Sequence, residues 1–128
     1  MRLLLDTHVV IAMVNGKFAG EFPAVRRLLI ERISTGVVSV ASLWEIAIKS
    51  RLGKLATDLP VQQITDFLAS SGLTILPIET LHAITHAEPE PSTRDPFDRL
   101  LLAQCQIEGV QLVTTDRALS GHRLALRF

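Results

Sequence analysis

Short apolar runs alternate with longer amphipathic segments along the whole chain. Apolar runs at 3–6, 37–40, 73–76 and 111–114 have the length of buried strands. Between and around them, apolar residues recur at helical spacing over 9–14, 24–33, 43–51, 60–71, 80–86 and 96–108. Strands that alternate with helices are typical of a parallel sheet with crossover helices. The pattern therefore predicts an α/β domain.

Local residues suggest where several elements begin and end. Ser42 is a plausible N-cap for the helix at 43–51, and Gly53 and Gly109 follow two of the predicted helices. The tail at 124–128 is a candidate edge strand. The only loop-like stretch, 88–93, is too short for an interdomain linker. We therefore expect a single domain over residues 1–128, with a mostly parallel sheet of four to five strands.

Composition agrees with a compact domain that lies outside the membrane. Of the 128 residues, 48% are hydrophobic, which is ample for a core. The longest apolar run is far shorter than the roughly 20 residues of a membrane span, and the first residues do not resemble a signal peptide. We expect a cytoplasmic protein. The single cysteine, Cys105, lies in apolar sequence and is expected to be buried.

Charge limits how the chain could contact nucleic acid. Thirteen basic residues balance thirteen acidic ones, so binding through bulk positive charge is unfavourable and any contact must be local. Either these basic residues are ordinary solvated surface charges or they border a binding site. The candidates for such a border are Lys49, Arg51, Lys54, Arg94, Arg99 and Arg117.

Four acidic residues lie at the ends of apolar segments or inside them: Asp6, Glu45, Asp98 and Asp116. A buried carboxylate costs several kcal/mol unless a positive group meets it, so four in one small domain suggest a shared cation. Oxygen ligands favour Mg²⁺ or Mn²⁺ over zinc. Each acid taken singly could instead be an N-cap, a surface ion pair or a turn residue.

The predicted sheet gives these acids a common location. In an open parallel sheet, ligands bind beyond the carboxyl ends of the strands, and Asp6 and Asp116 follow two such ends. Glu45 and Asp98 are expected in the early turns of two helices, where negative charge is favoured. All four carboxylates can therefore face the same rim of the sheet.

Other kinds of site are less well supported. No Gly-x-Ser-x-Gly motif is present, and His82, His86 and His122 lack zinc-like spacing with cysteine, so we expect them on the surface or in loops. Aromatic residues make up 5% of the chain, with no tyrosine, which leaves little for base stacking. Trp44 is expected in the core.

Four motifs, taken in order, resemble the PIN-domain ribonucleases and, more narrowly, the VapC toxins of bacterial toxin–antitoxin pairs. They are Leu4-Leu-Asp-Thr-His8, Ser42-Leu-Trp-Glu-Ile-Ala-Ile-Lys49 with Leu52-Gly-Lys54, Arg94-Asp-Pro-Phe-Asp-Arg-Leu-Leu101, and Leu112-Val-Thr-Thr-Asp116. Each motif alone is weak, but their order and spacing cover essentially the whole chain. The resemblance implies a PIN-like three-layer sandwich.

The resemblance also implies roles for individual residues. Asp6, Glu45, Asp98 and Asp116 match the metal-binding acidic quartet of the family, and Thr7 and Thr114 match its hydroxyl residues near the metal. The resemblance does not decide the roles of two further residues, Asp95 and His8. Asp95 either supports the metal or caps the helix that Pro96 begins. His8 either binds the ion itself or, as is more common for a histidine next to a metal ligand, orients that ligand or fills space.

The implied activity is that of an endoribonuclease toxin. One or two Mg²⁺ or Mn²⁺ ions would activate water for attack on a phosphodiester, with no side-chain nucleophile. The resemblance points to RNA as substrate, often structured RNA such as transfer RNA. It also points to a homodimer held inactive by a VapB-like antitoxin, which would be the only link to DNA.

Rival functions remain. Haloacid-dehalogenase-like phosphatases and receiver domains also place an aspartate after the first strand, but His8 stands where the phosphatase motif has its second aspartate, and Leu4 and Leu5 stand where a receiver has an acidic pair. A free-standing PIN ribonuclease in RNA processing and a PIN-like binding module with little activity are the closer alternatives.

Overall fold

The computed structural model describes all of residues 1–128, as four strands and eight helices. In chain order the elements are β1 (Arg2–Leu5), α1 (Thr7–Val14), α2 (Phe18–Glu21), α3 (Pro23–Ile30), β2 (Thr35–Ser39), α4 (Val40–Arg51), α5 (Val61–Ser70), β3 (Thr74–Leu76), α6 (Thr80–Ile84), α7 (Pro96–Glu108), β4 (Gln111–Val113) and α8 (Arg117–Ser120).

The four strands form one parallel sheet in the order β3-β2-β1-β4. In the central strand β1, Leu3 and Leu5 pack into one hydrophobic cluster and Leu4 into another. This alternation follows from the two-residue period of a strand, and burial on both faces is what a parallel sheet covered by helices requires. The register pairs Leu5 with Val113, so the residues that follow β1 and the residues that follow β4 lie next to each other.

Helices cover both faces of the sheet and complete the two cores. The larger cluster packs β1 against the helices α1, α3, α4 and α5, through side chains such as Val9, Val25 and Ile64. The smaller one joins β1 and β2 to α7 and α8, through side chains such as Leu101 and Leu119. The predicted α/β sandwich is confirmed, with four strands in its sheet.

Several local predictions were wrong. Ser39, not Ser42, caps α4, because its hydroxyl accepts a hydrogen bond from the Ala41 N–H at 3.0 Å and the chain passes from β2 to α4 without a loop. The four-residue helices α2 and α8 were not predicted, because they are too short to show helical spacing. The tail is not a strand, since Ala125 forms only an isolated bridge with Leu112.

His82 was expected on the surface or in a loop, but it is buried. It lies in α6, where its Nδ1 accepts a hydrogen bond from the Glu79 N–H at 2.9 Å and its Nε2 lies 2.9 Å from a carboxylate oxygen of Glu108. These bonds satisfy both ring nitrogens and tie α6 to α7. Cys105 is buried as expected, and burial raises the pKa of its thiol to about 12. No helix combines the length and the apolar character needed to cross a bilayer.

Candidate metal centre

Asp6 lies immediately beyond β1 and is almost fully buried. One carboxylate oxygen accepts a hydrogen bond from the Thr7 N–H at 2.7 Å, which caps α1, and the other accepts one from the Thr114 hydroxyl at 2.6 Å. Thr114 follows β4, the neighbouring strand. The parallel register therefore brings together two residues that are 108 positions apart in the sequence.

Glu45 reaches the same region from α4, where it is buried in the second turn rather than at the helix start. Its Oε1 accepts a hydrogen bond from the Thr7 hydroxyl at 2.7 Å, and that hydroxyl also lies 3.0 Å from the Ser42 hydroxyl. Its Oε2 lies 2.5 Å from the Lys49 ammonium, one turn further along α4. This contact raises the pKa of Lys49.

Asp98 and Asp95 lie at the start of α7 and have different surroundings. Asp95 is the N-cap, and its carboxylate accepts a hydrogen bond from the Phe97 N–H at 2.9 Å. Of its two possible roles, the structure shows the capping one. Asp98, in the first turn, is half-buried, and its only side-chain neighbour within hydrogen-bonding distance is the Thr93 hydroxyl at 3.4 Å.

Asp116 lies beyond β4 and caps α8, accepting a hydrogen bond from the Ala118 N–H at 2.9 Å. The Asp116 N–H donates to the Thr114 hydroxyl at 3.0 Å. Because Thr114 in turn donates to Asp6, one short hydrogen-bonded chain links the carboxyl ends of β1 and β4.

The charges of the other acids act on Asp98. Partial burial, together with the charges of Asp95, Asp6, Asp116 and Glu45, raises the pKa of Asp98 to about 7. Burial also raises the pKa of Asp6, although the hydrogen bonds from Thr114 and Thr7 oppose the rise. The structure therefore brings the four predicted acids to one edge of the sheet, where they repel one another.

This set of carboxylates chemically suits a hard divalent cation, which would relieve the repulsion. As the side chains stand, however, no three ligand-type side chains are close enough together to hold an ion. Hydrogen bonds from Thr7, Thr114, Lys49 and the α8 backbone hold three of the four acids in their present positions.

The predicted basic border separates into three groups. Arg51, Lys54, Arg94 and Arg117 are exposed and form no salt bridge. Lys49 is engaged by Glu45. Arg99 is held by the loop before α7, where its guanidinium donates to Glu90 at 2.9 Å and to the carbonyl oxygens of Thr93 and Pro91. Arg99 thus supports the loop.

One feature near the acids was missed in the sequence. Trp44, expected in the core, is 60% exposed and packs edge-on against Phe97, with ring centroids 5.8 Å apart. The two rings belong to α4 and α7, the helices that carry Glu45 and Asp98. Trp44 follows apolar Leu43 in the sequence, and nothing in the local pattern distinguishes it from a core residue.

The model of the PIN domain family matches residues 3–123, which is nearly the whole chain. The chain belongs to the PIN domain family. PIN domains are generally nucleases that depend on divalent metal ions. No curated protein matches the sequence significantly.

Two solved structures share this PIN-domain fold. One is VapBC2 from Rickettsia felis bound to a DNA fragment from their promoter, with a TM-score of 0.68 and 18% identity. The other is a toxin–antitoxin complex from Klebsiella pneumoniae, with a TM-score of 0.63 and 16% identity. Each similarity covers 98% of this chain and 96% of the other. At this level of identity the similarity establishes the fold alone.

Proposed function

We propose that this PIN domain is a VapC-type endoribonuclease toxin that hydrolyses RNA with the help of Mg²⁺ or Mn²⁺. The observation that carries the proposal is the hydrogen-bond network beyond β1 and β4, in which Thr7 links Asp6 to Glu45 and Thr114 links Asp6 to Asp116. Partial burial, together with the charges of these acids, also raises the pKa of Asp98. Membership in a family of nucleases supports the activity, and the two toxin–antitoxin complexes with the same fold support the biological role.

In this proposal the four carboxylates hold the ion. When bound, Mg²⁺ or Mn²⁺ would supply an activated water for attack on the phosphodiester and would neutralise charge on the leaving oxygen. The protein's own contribution is orientation. Thr114 and the Thr7 N–H fix the two oxygens of Asp6, and the Thr7 hydroxyl fixes Glu45. Lys49 partly offsets the negative charge of the centre in the absence of an ion.

The proposed substrate is RNA, including structured RNA such as transfer RNA. Arg51, Lys54, Arg94 and Arg117 are exposed and unpaired, so their charge is available to phosphates. Since the formal net charge of the chain is zero, only such local contacts can attract RNA. Arg99 is left out of this set because the loop before α7 already engages its guanidinium.

The proposed partners are a second copy of the chain and a VapB-like antitoxin. Two exposed apolar side chains leave apolar surface for a partner to cover: Ile30 at the end of α3, 59% exposed, and Ile33 just beyond it, 56% exposed. The helices α1 and α5 leave little such surface, because most of their apolar residues are buried or packed against the core. Any contact with DNA would come through the antitoxin, and the complex would act in the cytoplasm.

The test is cleavage of a labelled structured RNA by the purified chain with Mn²⁺, with Mg²⁺ or with EDTA. We expect cleavage only with a metal ion, and loss of most of it in Asp6→Asn and Asp116→Asn. Asp66→Asn is the matched control, because Asp66 is exposed on α5 and lies outside the acidic cluster. Undiminished cleavage in EDTA would refute the mechanism, whereas RNA binding without cleavage would favour the binding-module alternative.

A further inference from the structure

The exposure of Trp44 is unusual for the largest side chain in the protein. It is 60% exposed, while the next residue of α4, Glu45, is buried in the acidic cluster. Tryptophan is highly buried on average, and leaving most of an indole in water forgoes a large gain from burial. Because single exposed apolar residues are common, exposure alone decides nothing, and the surroundings of this indole carry the argument.

Trp44 is held in place by a second aromatic ring. Phe97 lies 5.8 Å away at an interplanar angle of 74°, an edge-to-face arrangement. Such pairs are favourable beyond their burial and restrict how the rings move. An edge contact covers only part of an indole, so Trp44 keeps a free aromatic surface while its orientation is maintained.

The pair spans the two helices of the acidic cluster. Trp44 directly precedes Glu45 on α4, and Phe97 directly precedes Asp98 on α7. Residues seven apart share one face of a helix, so Arg51, exposed and unpaired, lies on the Trp44 side of α4, about 10 Å along its axis. The two helices that carry Glu45 and Asp98 therefore also carry an exposed aromatic surface and, on the same side of α4, a free cation.

We propose that Trp44, supported by Phe97, is a stacking platform for an unpaired base of the RNA next to the phosphate that is cleaved. The proposal rests on the proposed ribonuclease function and adds to it the residue that holds the substrate strand. Every base has a π-face, so stacking on an indole holds the strand with little dependence on sequence. Arg51 then contacts a phosphate further along the same strand.

A nucleic-acid base fits this surface better than a protein partner does. The exposed aromatic surface lies on helices that also carry acidic residues and a free cation. The other large exposed apolar side chains lie on α3 or just after it, on α6, at the end of α4 and at the two ends of the chain. A flat ring on the same helix face as a free cation matches a base attached to a phosphate backbone. Coverage of Trp44 by a second copy of the chain is an outcome that the test separates.

The chain provides its own probe, because Trp44 is its only tryptophan and it has no tyrosine. The experiment titrates the full chain, in EDTA to prevent cleavage, with a single-stranded RNA of about eight nucleotides. A second titration uses an abasic ribose-phosphate strand of equal length and charge. We expect the RNA to quench the fluorescence of Trp44 and the abasic strand to leave it unchanged.

Variants separate stacking from packing. Trp44→Ala should bind the RNA about 5- to 150-fold more weakly, and Trp44→Phe should recover most of the affinity because a phenyl ring also stacks. Binding of the abasic strand should be equal in all three proteins. Ile84→Ala is the control, since Ile84 is 68% exposed on α6 and outside the cluster. Thermal melting verifies that each variant is folded.

The outcomes distinguish this proposal from the proposed function. The platform is refuted and the nuclease stands if the wild type cleaves RNA with Mn²⁺, RNA does not quench its fluorescence, and Trp44→Ala binds RNA as tightly as the wild type does. If RNA quenches Trp44 but is never cleaved, the nuclease fails and the platform stands. If the single-stranded RNA does not bind in EDTA, the platform is refuted, and cleavage of structured RNA with Mn²⁺ decides the nuclease separately. A shift of Trp44 emission with protein concentration alone would mean that a second copy covers it, which overturns the platform.

Discussion

Replacing Asp98 by asparagine should stabilise the metal-free protein at neutral and alkaline pH. In the folded chain the pKa of Asp98 is raised to about 7 from an ordinary 3.8, because the carboxyl is partly buried and other acids surround it. Between these two values the folded protein binds a proton that the unfolded chain releases. The free energy of unfolding therefore falls as pH rises from about 4 to 7. An asparagine side chain cannot ionise, so the substitution removes this contribution.

The size of the effect follows from the pKa difference. At 1.36 kcal/mol per pKa unit, the full difference corresponds to about 4 kcal/mol. Because Asp98 is only half-buried, solvent screening reduces this to about 1–2 kcal/mol. The substitution also removes the favourable interaction of a carboxylate with the N-terminus of α7, which lowers the free energy of unfolding by about 0.5 kcal/mol. The net gain of about 1 kcal/mol at pH 8 corresponds to a melting temperature about 3–6 °C higher.

The assay is urea unfolding of the wild type and of Asp98→Asn in EDTA at several pH values from 4 to 8. The two proteins should differ little at pH 4 and most at pH 8. The control is Asp66→Asn, which removes an equal charge from an exposed site on α5 and should keep the wild-type pH dependence. A variant that is less stable than the wild type at pH 8 would refute the repulsion on which the argument depends.

Three further predictions test other parts of the structure. Thr114→Val should lower the free energy of unfolding by about 1–3 kcal/mol in urea, because Asp6 loses a buried hydrogen bond; an unchanged midpoint would contradict this. Arg51→Ala with Lys54→Ala should weaken binding of a single-stranded RNA and reduce the slope of its salt dependence by about 1.4, measured by fluorescence anisotropy. An unchanged slope would mean that RNA approaches elsewhere. Gly36→Ala should lower the melting temperature in calorimetry, since a Cβ there would overlap a leucine side chain; an equal or higher temperature would contradict it.

Much of the fold could be predicted because its determinants are local. The apolar runs at 3–6 and 111–114 correspond to β1 and β4, and the helix predicted at 96–108 is α7 to the residue. Its limits are set by a capping aspartate, Pro96 and a glycine with positive φ, which are signals of a few residues. The helices α2 and α8, of four residues each, are too short to show the repeat of apolar residues that predicts a helix, and they were missed.

The environment of each site residue was less predictable, because it depends on contacts between distant parts of the chain. The acids could be placed near one edge from topology, but the bond from Thr114 to Asp6 depends on the β1–β4 register. Trp44 and His82 were both assigned to the wrong environment. A side chain's burial is decided by the helices packed around it, and apolar or polar character alone does not reveal which helices those are.

The most direct test of the central claim is calorimetric titration of the metal-free protein with Mn²⁺. If Asp6, Glu45, Asp98 and Asp116 form one centre for a divalent ion, the wild type should bind Mn²⁺ and single Asp6→Asn and Asp98→Asn variants should each bind it much more weakly. Asp66→Asn should bind as the wild type does. The account would be contradicted if the wild type did not bind Mn²⁺, or if each single variant bound Mn²⁺ as tightly as the wild type does.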